Sequence, residues 1–190
     1  MKAIKLQPLG DAEPDVLESL GPGLEKAFGV PVETAHQSLS ISRFYDEHRG
    51  QYNSTAILHS LLSSDRSGLR ASISLPGNGV RIIGITPHDL FIPILTYVFG
   101  EAALGGDVAV VSYHRFRNEL YGLSSDRTLL LERVRKVAIH ELGHTLGLVH
   151  CTLQHCVMHA ASYVEELDMK GHEFCPYCNS AIRKPAYSSR

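Results

Sequence analysis

The sequence predicts an α+β fold of one domain, in which strands alternate with helices and an irregular, metal-bound tail follows. Two observations lead to this fold class. Segments with strand-like and helix-like spacing of apolar residues follow one another along most of the 190 residues. All four cysteines then lie between Cys151 and Cys178, beyond the last long helical segment. Such a loop-rich stretch with a thin core can gain folding free energy from bound metal.

The chain opens with a strand, a helix and a second strand. Residues 2–7 alternate apolar and polar side chains as a strand does, and residues 30–35 form the second strand. A helix spans residues 11–28 between them, with Asp11 as its cap. The Gly-Pro-Gly sequence at residues 21–23 is a point at which this helix could divide in two.

The middle of the chain contains one helix and three strands. Residues 52–62 form an amphipathic helix, and residues 81–86 form an apolar strand. Residues 91–99 form an edge strand rather than a central one, because Pro93 cannot donate a backbone hydrogen bond. Residues 108–113 form a strand that is buried on both faces. The apolar face of the helix comprises Ile57, Leu58, Leu61 and Leu62.

The longest helix follows a turn-rich connection over residues 100–107. Residues 124–126 offer good caps, and apolar residues recur at helical spacing from there to Leu148. A short helix is predicted over residues 164–169. The apolar positions of the long helix are Leu130, Val134, Val137, Ala138, Leu142 and Leu146.

Charge and hydropathy exclude some classes of protein. Eighteen basic residues against twenty acidic ones give a net charge of −2, so no electrostatic argument points to nucleic acid or to an anionic membrane. The chain contains no run of about 18 apolar residues, the length needed to cross a membrane. The start shows no secretory signal and begins directly with a strand, so we expect no prosegment. These features predict a cytoplasmic protein.

Histidine and cysteine are crowded into one short part of the chain. Of eleven histidines, five fall between His140 and His159, and all four cysteines lie between Cys151 and Cys178. Clustered cysteines in a chain without export signals favour a metal site over disulfides. Two kinds of metal ligand therefore meet in this segment.

The spacing of His140 and His144 places two imidazoles on one face of the predicted helix. A helix turns about 100° per residue, so these side chains lie only about 40° apart, one turn above each other. Both can reach one zinc ion at about 2.0–2.1 Å. Glu141 points beside that ion, where a general base would stand. Gly147 can adopt the positive φ that ends a helix sharply, and His150 then returns as a third ligand. Three histidines leave one tetrahedral position open, as in a catalytic zinc site.

The four cysteines are typical of a closed structural zinc site, because four thiolates leave no open position. They are Cys151, Cys156, Cys175 and Cys178. Two disulfides, a redox-active pair at residues 175 and 178, or an iron–sulfur cluster are the alternatives. His155, His159 and His172 could substitute as ligands, although we expect them at the surface. Met158, taken alone, is a core filler.

These motifs resemble a known family. His-Glu-x-x-His-x-x-Gly-x-x-His followed by Met158 resembles the metzincin signature of metalloproteases. A cysteine directly after the third histidine, then Cys-x-Met at residues 156–158 and Cys-x-x-Cys at residues 175–178, resemble the archaemetzincins specifically. The motifs cover residues 140–178, and residues 49–54 and 83–91 show a weaker likeness.

The resemblance implies a set of roles and a metzincin-like fold. His140, His144 and His150 would hold a catalytic zinc with Glu141 as general base and acid, and Met158 would form the floor beneath the metal. The four cysteines would hold a structural zinc, giving two zinc ions per chain. A twisted mixed sheet with a backing helix and an active-site helix would form the upper subdomain, residues 1–147. Residues 148–190 would form the lower one. A peptide or protein substrate would lie extended in the cleft between them, against the 91–99 strand, on a monomeric enzyme.

The sequence therefore predicts zinc-dependent hydrolysis of peptide bonds by a zinc-bound water, with Glu141 taking its proton. One alternative is a binding domain of the same fold that retains zinc without turnover. Another is a nucleic-acid or protein adaptor built on the four cysteines, for which residues 127–136 would have to supply a basic patch. The substrate, and the choice between endopeptidase and exopeptidase, do not follow from the sequence.

Overall fold

The computed structural model describes residues 1–63 and 79–183, and its core is a five-stranded sheet with helices on both faces. The predicted α+β class is confirmed. The strands are β1 (Ala3–Pro8), β2 (Val32–Thr34), β3 (Tyr45–Asp46), β4 (Gln51–Asn53), β5 (Val80–Thr86), β6 (Leu90–Phe91), β7 (Gly100–Ala102) and β8 (Val108–Ser112). The helices are α1 (Pro14–Phe28), α2 (Ser54–Ser63), α3 (Arg127–Thr145), α4 (Val164–Met169) and α5 (Pro176–Arg183).

The sheet is mixed, with the strand order β2-β1-β5-β8-β7. Its first four strands run parallel, and β7 lies antiparallel to β8 at the edge. A second small sheet joins β3, β4 and β6. Because side chains alternate along a strand, Ile83 and Ala109 face one side of the large sheet, and Ile82 and Val108 face the other. Helices α1 and α3 cover the first side and α2 covers the second. As predicted, β8 is buried throughout.

The prediction of an edge strand over residues 91–99 is wrong. β6 ends at Phe91, and the chain then turns, with the Leu95 amide donating to the Ile92 carbonyl at 3.0 Å. Pro93 within this turn has no amide to offer a ladder, which explains why the strand stops. β7, at one edge of the large sheet, lies instead inside the segment predicted to be a connection only.

Two helices differ in detail from their predictions. Asp11 does not cap α1; its carboxylate pairs with His88 Nε2 at 2.7 Å, and the helix begins at Pro14. The Gly-Pro-Gly sequence at residues 21–23 does not divide α1, because Leu20 and Leu24 continue its fully buried face across it.

Helix α2 starts at Ser54 rather than at residue 52. The residues before it pair in β4, and Asn53 Oδ1 accepts the Ala56 amide at 3.0 Å as a cap. Leu62, predicted on the apolar face, is 37% exposed, so the face consists of the other three residues.

Two of the basic residues of α3, Arg133 and Lys136, are buried and so cannot belong to an open basic patch. Arg133, only 4% exposed, donates to both carboxylate oxygens of Asp168 at 2.8 and 2.6 Å. Lys136 donates to the Leu167 carbonyl at 2.7 Å. These bonds dock α4 onto α3 and argue against the adaptor alternative, since a nucleic-acid surface needs exposed cations. Within the described ranges, no helix is long and apolar enough to cross a membrane.

Candidate active site and metal centres

The last turns of α3 carry the first two histidines of the predicted site. Asp126 caps the start of this helix by accepting the Leu129 amide at 2.9 Å. The helix ends at Thr145, and Gly147 adopts a φ of 86°, which a residue with a Cβ rarely does. The chain then reverses and presents His150 beside the helix.

The structure brings the three histidines together. Ring centroids lie 4.6 Å apart for His140 and His144, 5.2 Å for His140 and His150, and 5.1 Å for His144 and His150. One nitrogen from each ring lies within 4.8 Å of the other two. Two zinc ligands in tetrahedral geometry lie roughly 3.3 Å apart, so rings at these separations suit a single ion.

Hydrogen bonds orient two of these rings toward a common point. His140 Nδ1 lies 2.8 Å from the Val157 carbonyl, and His144 Nδ1 lies 2.7 Å from the Leu148 carbonyl. A carbonyl only accepts, so both Nδ1 atoms carry the proton and both Nε2 atoms carry a lone pair. These two Nε2 atoms face each other at 3.0 Å. A cation between them removes the repulsion of the lone pairs, and the donor set therefore fits zinc.

The rings are held neutral, as ligands must be. Burial, together with the nearby Lys170 ammonium as the second cause, lowers the pKa of His140 to about 2. Burial is also the main cause that lowers the pKa values of His144 and His150. A proton is thus a poor substitute for a metal at this site.

Glu141 is packed tightly against the edge strand. Its side chain is 7% exposed, and burial raises its pKa to about 8. A Cβ at Gly100 would lie 2.7 Å from Glu141 Cγ and 2.8 Å from its Oε1. Only glycine at this position of β7 leaves room for the carboxylate.

A buried lysine holds the loop beneath the first histidine. Lys170, 4% exposed, donates to the carbonyls of Val157 and His159 at 3.0 and 2.9 Å. The Val157 carbonyl also accepts from His140, so Lys170 fixes the group that orients this ring. Met158 is fully buried in the same loop, and its sulfur fills the space beside Gly143 of α3.

The four cysteines also meet. Cys151 Sγ and Cys175 Sγ lie 3.9 Å apart, and Cys156 Sγ and Cys178 Sγ lie 3.8 Å apart. Thiolates bound tetrahedrally to zinc at about 2.3 Å are separated by roughly 3.8 Å, so the set fits one zinc ion. The separations are far too long for disulfide bonds, and all four residues are free cysteines.

Backbone amides favour the anionic form of part of this cluster. The Cys178 amide donates to Cys175 Sγ at 3.5 Å, which lowers the pKa of that thiol. Of the other histidines in the tail, His159 Nδ1 bonds the Cys151 carbonyl at 2.9 Å. Among residues 1–63 and 79–183, neither donor group includes His155, His159 or His172.

A cleft of about 720 Å³ opens over the histidines. One rim is the segment that contains β7, from Leu95 to Leu104, and the opposite wall runs from Ala160 to Tyr163.

Glu101 fixes the rim from the far face of β7, where its carboxylate accepts from Ser54 and, at 2.9 Å, from Thr55 at the start of α2. At the other end of the rim, the Gly105 amide donates to the His144 carbonyl at 2.9 Å.

Sequence reasoning missed Gly100, Lys170 and the rim. A glycine in a turn-like run and a lysine after a short helix give no periodic signal, since their importance depends on neighbours distant in the chain.

Comparison with known proteins agrees with this architecture. A model of peptidase family M54 matches residues 23–184. Archaemetzincin of Methanocaldococcus jannaschii is 35% identical over 175 residues, which cover 92% of this chain and 89% of that protein. The structure of archaemetzincin from Archaeoglobus fulgidus, complexed with malonate, is 34% identical with a TM-score of 0.76, covering 94% and 99% of the two chains. A zinc-dependent peptidase from Methanocorpusculum labreanum is 28% identical with a TM-score of 0.82, covering 95% and 100%.

Likenesses that extend over nearly the whole chain make this protein a zinc metallopeptidase, a hydrolase of peptide bonds. It belongs to peptidase family M54, and the relatives it matches are archaemetzincins. The predicted family resemblance is confirmed.

Proposed function

We propose that this chain hydrolyses peptide bonds at a zinc ion held by Nε2 of His140 and His144 together with His150. The observation that carries the proposal is the pair of facing Nε2 atoms, 3.0 Å apart, each with its Nδ1 proton committed to a carbonyl. A second zinc held by the four cysteines would fix the chain that follows His150. The two donor sets support a content of two zinc ions per chain, one catalytic and one structural.

When bound, zinc supplies polarisation of the scissile carbonyl and lowers the pKa of a water molecule in its open position. The Glu141 carboxylate would take the proton of that water as the new C–O bond forms. The same carboxyl group would then give the proton to the amine nitrogen as the C–N bond breaks. The positive charge of bound zinc would favour the Glu141 carboxylate over the neutral acid that burial alone favours. Glu141 would return to this ionised form at the end, so the proton balance closes.

The substrate would lie extended along β7. One edge of this strand pairs with β8, and Gly100, Glu101 and Ala102 line the cleft on the other side. A peptide can add to such an edge through backbone hydrogen bonds, without regard to its side chains. We also propose that residues 1–147 form the part of the chain above the cleft and residues 148–190 the part below it. We further propose that the protein is a monomer.

Removal of the metal tests the proposal. We expect the zinc-loaded chain to generate new termini in a peptide mixture, detected by mass spectrometry, and the chelated chain to generate none. Addition of zinc should restore both the zinc content and the cleavage, because neutral histidines rebind the ion. A chain that holds zinc but cleaves no peptide would instead be the non-catalytic binding domain. Cleavage that is unaffected by complete removal of zinc would contradict the proposal directly.

A further inference from the structure

A hydrogen bond joins the two walls of the cleft. Tyr97 Oη donates to the Ser162 carbonyl at 2.7 Å. Tyr97 belongs to the rim that leads into β7, whereas Ser162 belongs to the opposite wall, and both residues line the cleft. The bond is exposed to solvent, so it crosses the mouth of the cleft rather than its floor.

The Tyr97 ring is held in place by its neighbours. The Arg115 guanidinium lies 3.9 Å from the centroid of the ring, a cation–π contact. Arg115 is itself fixed by two hydrogen bonds to Asp89, at 2.8 and 2.7 Å, in the planar fork geometry that arginine favours. Phe99 packs on the ring with centroids 5.6 Å apart.

The backbone just before Tyr97 is held as firmly. The Thr96 carbonyl accepts from Arg49 Nη2 at 3.1 Å and from Gln51 Nε2 at 3.0 Å. Arg49 also donates to the Leu95 carbonyl at 2.7 Å, and its guanidinium lies 4.2 Å from the Phe91 centroid. The ring and the backbone of Tyr97 are therefore both fixed in position. Its hydroxyl binds the opposite wall without any loop having to close.

The position of Tyr97 limits the length of peptide that fits in the cleft beside Glu141. Gly100 abuts Glu141, and Tyr97 lies three residues before it along the rim. Three residues span at most about 10 Å, which is the rise of about three residues of an extended peptide. At the other end of the rim Leu104 is 62% exposed, and Val149 on the facing loop is 67% exposed. The two walls are thus bridged by a hydrogen bond near one end of the rim, whereas side chains at the other end are exposed.

We propose that Tyr97 is a specificity-determining residue which restricts the substrate to about three residues on one side of the scissile bond. The chain then cleaves peptides close to one terminus and disfavours interior bonds of long peptides. This inference rests on the proposed peptidase function and adds the class of substrate: peptides and chains with an accessible end.

The test compares Tyr97→Phe with the zinc-loaded wild type on long peptides of defined sequence, with cleavage positions mapped by mass spectrometry. Phenylalanine keeps the ring and its contacts with Arg115 and loses only the bridging hydroxyl. The matched control is Tyr45→Phe, which removes a hydroxyl from a tyrosine that is 46% exposed and does not line the cleft. We expect wild-type cleavage within about three residues of one end, and a rise of about tenfold in kcat/KM for interior bonds in Tyr97→Phe. Tyr45→Phe should match the wild type.

Each other result has a definite meaning. If zinc-loaded wild type cleaves no peptide at any position, the proposed peptidase function fails. If wild type cleaves interior bonds as readily as terminal ones, the length restriction is overturned and the peptidase function stands. If wild type cleaves near one end and Tyr97→Phe does the same, the role assigned to Tyr97 is overturned.

Discussion

Replacement of Glu141 by Gln is expected to lower kcat by about 10²- to 10⁴-fold, the usual contribution of a general base. The amide cannot accept the proton of the attacking water at neutral pH. Zinc content should remain that of the wild type, because the three histidines and the carbonyls that orient them are untouched. KM should change little, since the lost interaction belongs to the transition state.

The fold is expected to tolerate this change. Glutamine has nearly the volume of glutamate, so it fits the space that Gly100 leaves. The matched control is Glu132→Gln, an exposed position on the same helix. It should retain full activity and zinc. Undiminished peptide cleavage by Glu141→Gln, with wild-type zinc content, would remove Glu141 from the mechanism.

Replacement of Cys156 by Ser is expected to reduce the zinc content from two ions per chain to one and to destabilise the fold strongly. Cys156 is 2% exposed, its sulfur lies 3.8 Å from Cys178 Sγ, and it accepts the Cys175 amide. A structural zinc site contributes folding free energy directly, so the loss in free energy of unfolding should be on the order of 4 kcal/mol or more. Metal analysis and denaturant unfolding measure the two effects.

The same variant should also weaken the catalytic site. Cys151 directly follows His150, and its amide donates to the Met158 carbonyl at 2.9 Å, so the chain at the third histidine is joined to the loop that carries Met158. We expect the zinc remaining on the histidines to dissociate more readily than in the wild type. His155→Ala, an exposed neighbour outside both donor groups, is the control and should keep both ions. A Cys156→Ser protein that still binds two zinc ions with unchanged stability would refute the structural role.

Much of the fold could be predicted because the spacing of apolar residues along the sequence indicates where helices and strands form. The apolar positions of α3 recur at helical spacing, and β8 is apolar up to its last residue, Ser112, because helices cover both faces of the sheet. The short helix α4 lies at Val164–Met169, as the pattern indicated.

The edge strand could not be predicted in this way. β7 has only three residues and begins with Gly100, a poor strand former, which is present because the Glu141 carboxylate occupies the space of its missing side chain. The reason for that glycine is a contact 41 positions along the chain, which no local pattern records.

The donor sets of the candidate site were visible because helix geometry and ligand chemistry act over short spacings, as between His140 and His144. The groups that orient them were not visible. Lys170 reaches Val157 and His159 across a loop, and Tyr97 meets Ser162 from 65 positions away. These contacts depend on tertiary packing, which sequence spacing does not encode.

The most direct test of the central claim is diffraction at the zinc absorption edge from crystals of the purified chain. Two anomalous peaks are expected. One should lie about 2.0–2.1 Å from Nε2 of His140 and His144 and from a ring nitrogen of His150. The other should lie about 2.3 Å from the four cysteine sulfurs. A single peak at the cysteines, with His140, His144 and His150 left without metal at full zinc saturation, would contradict the account.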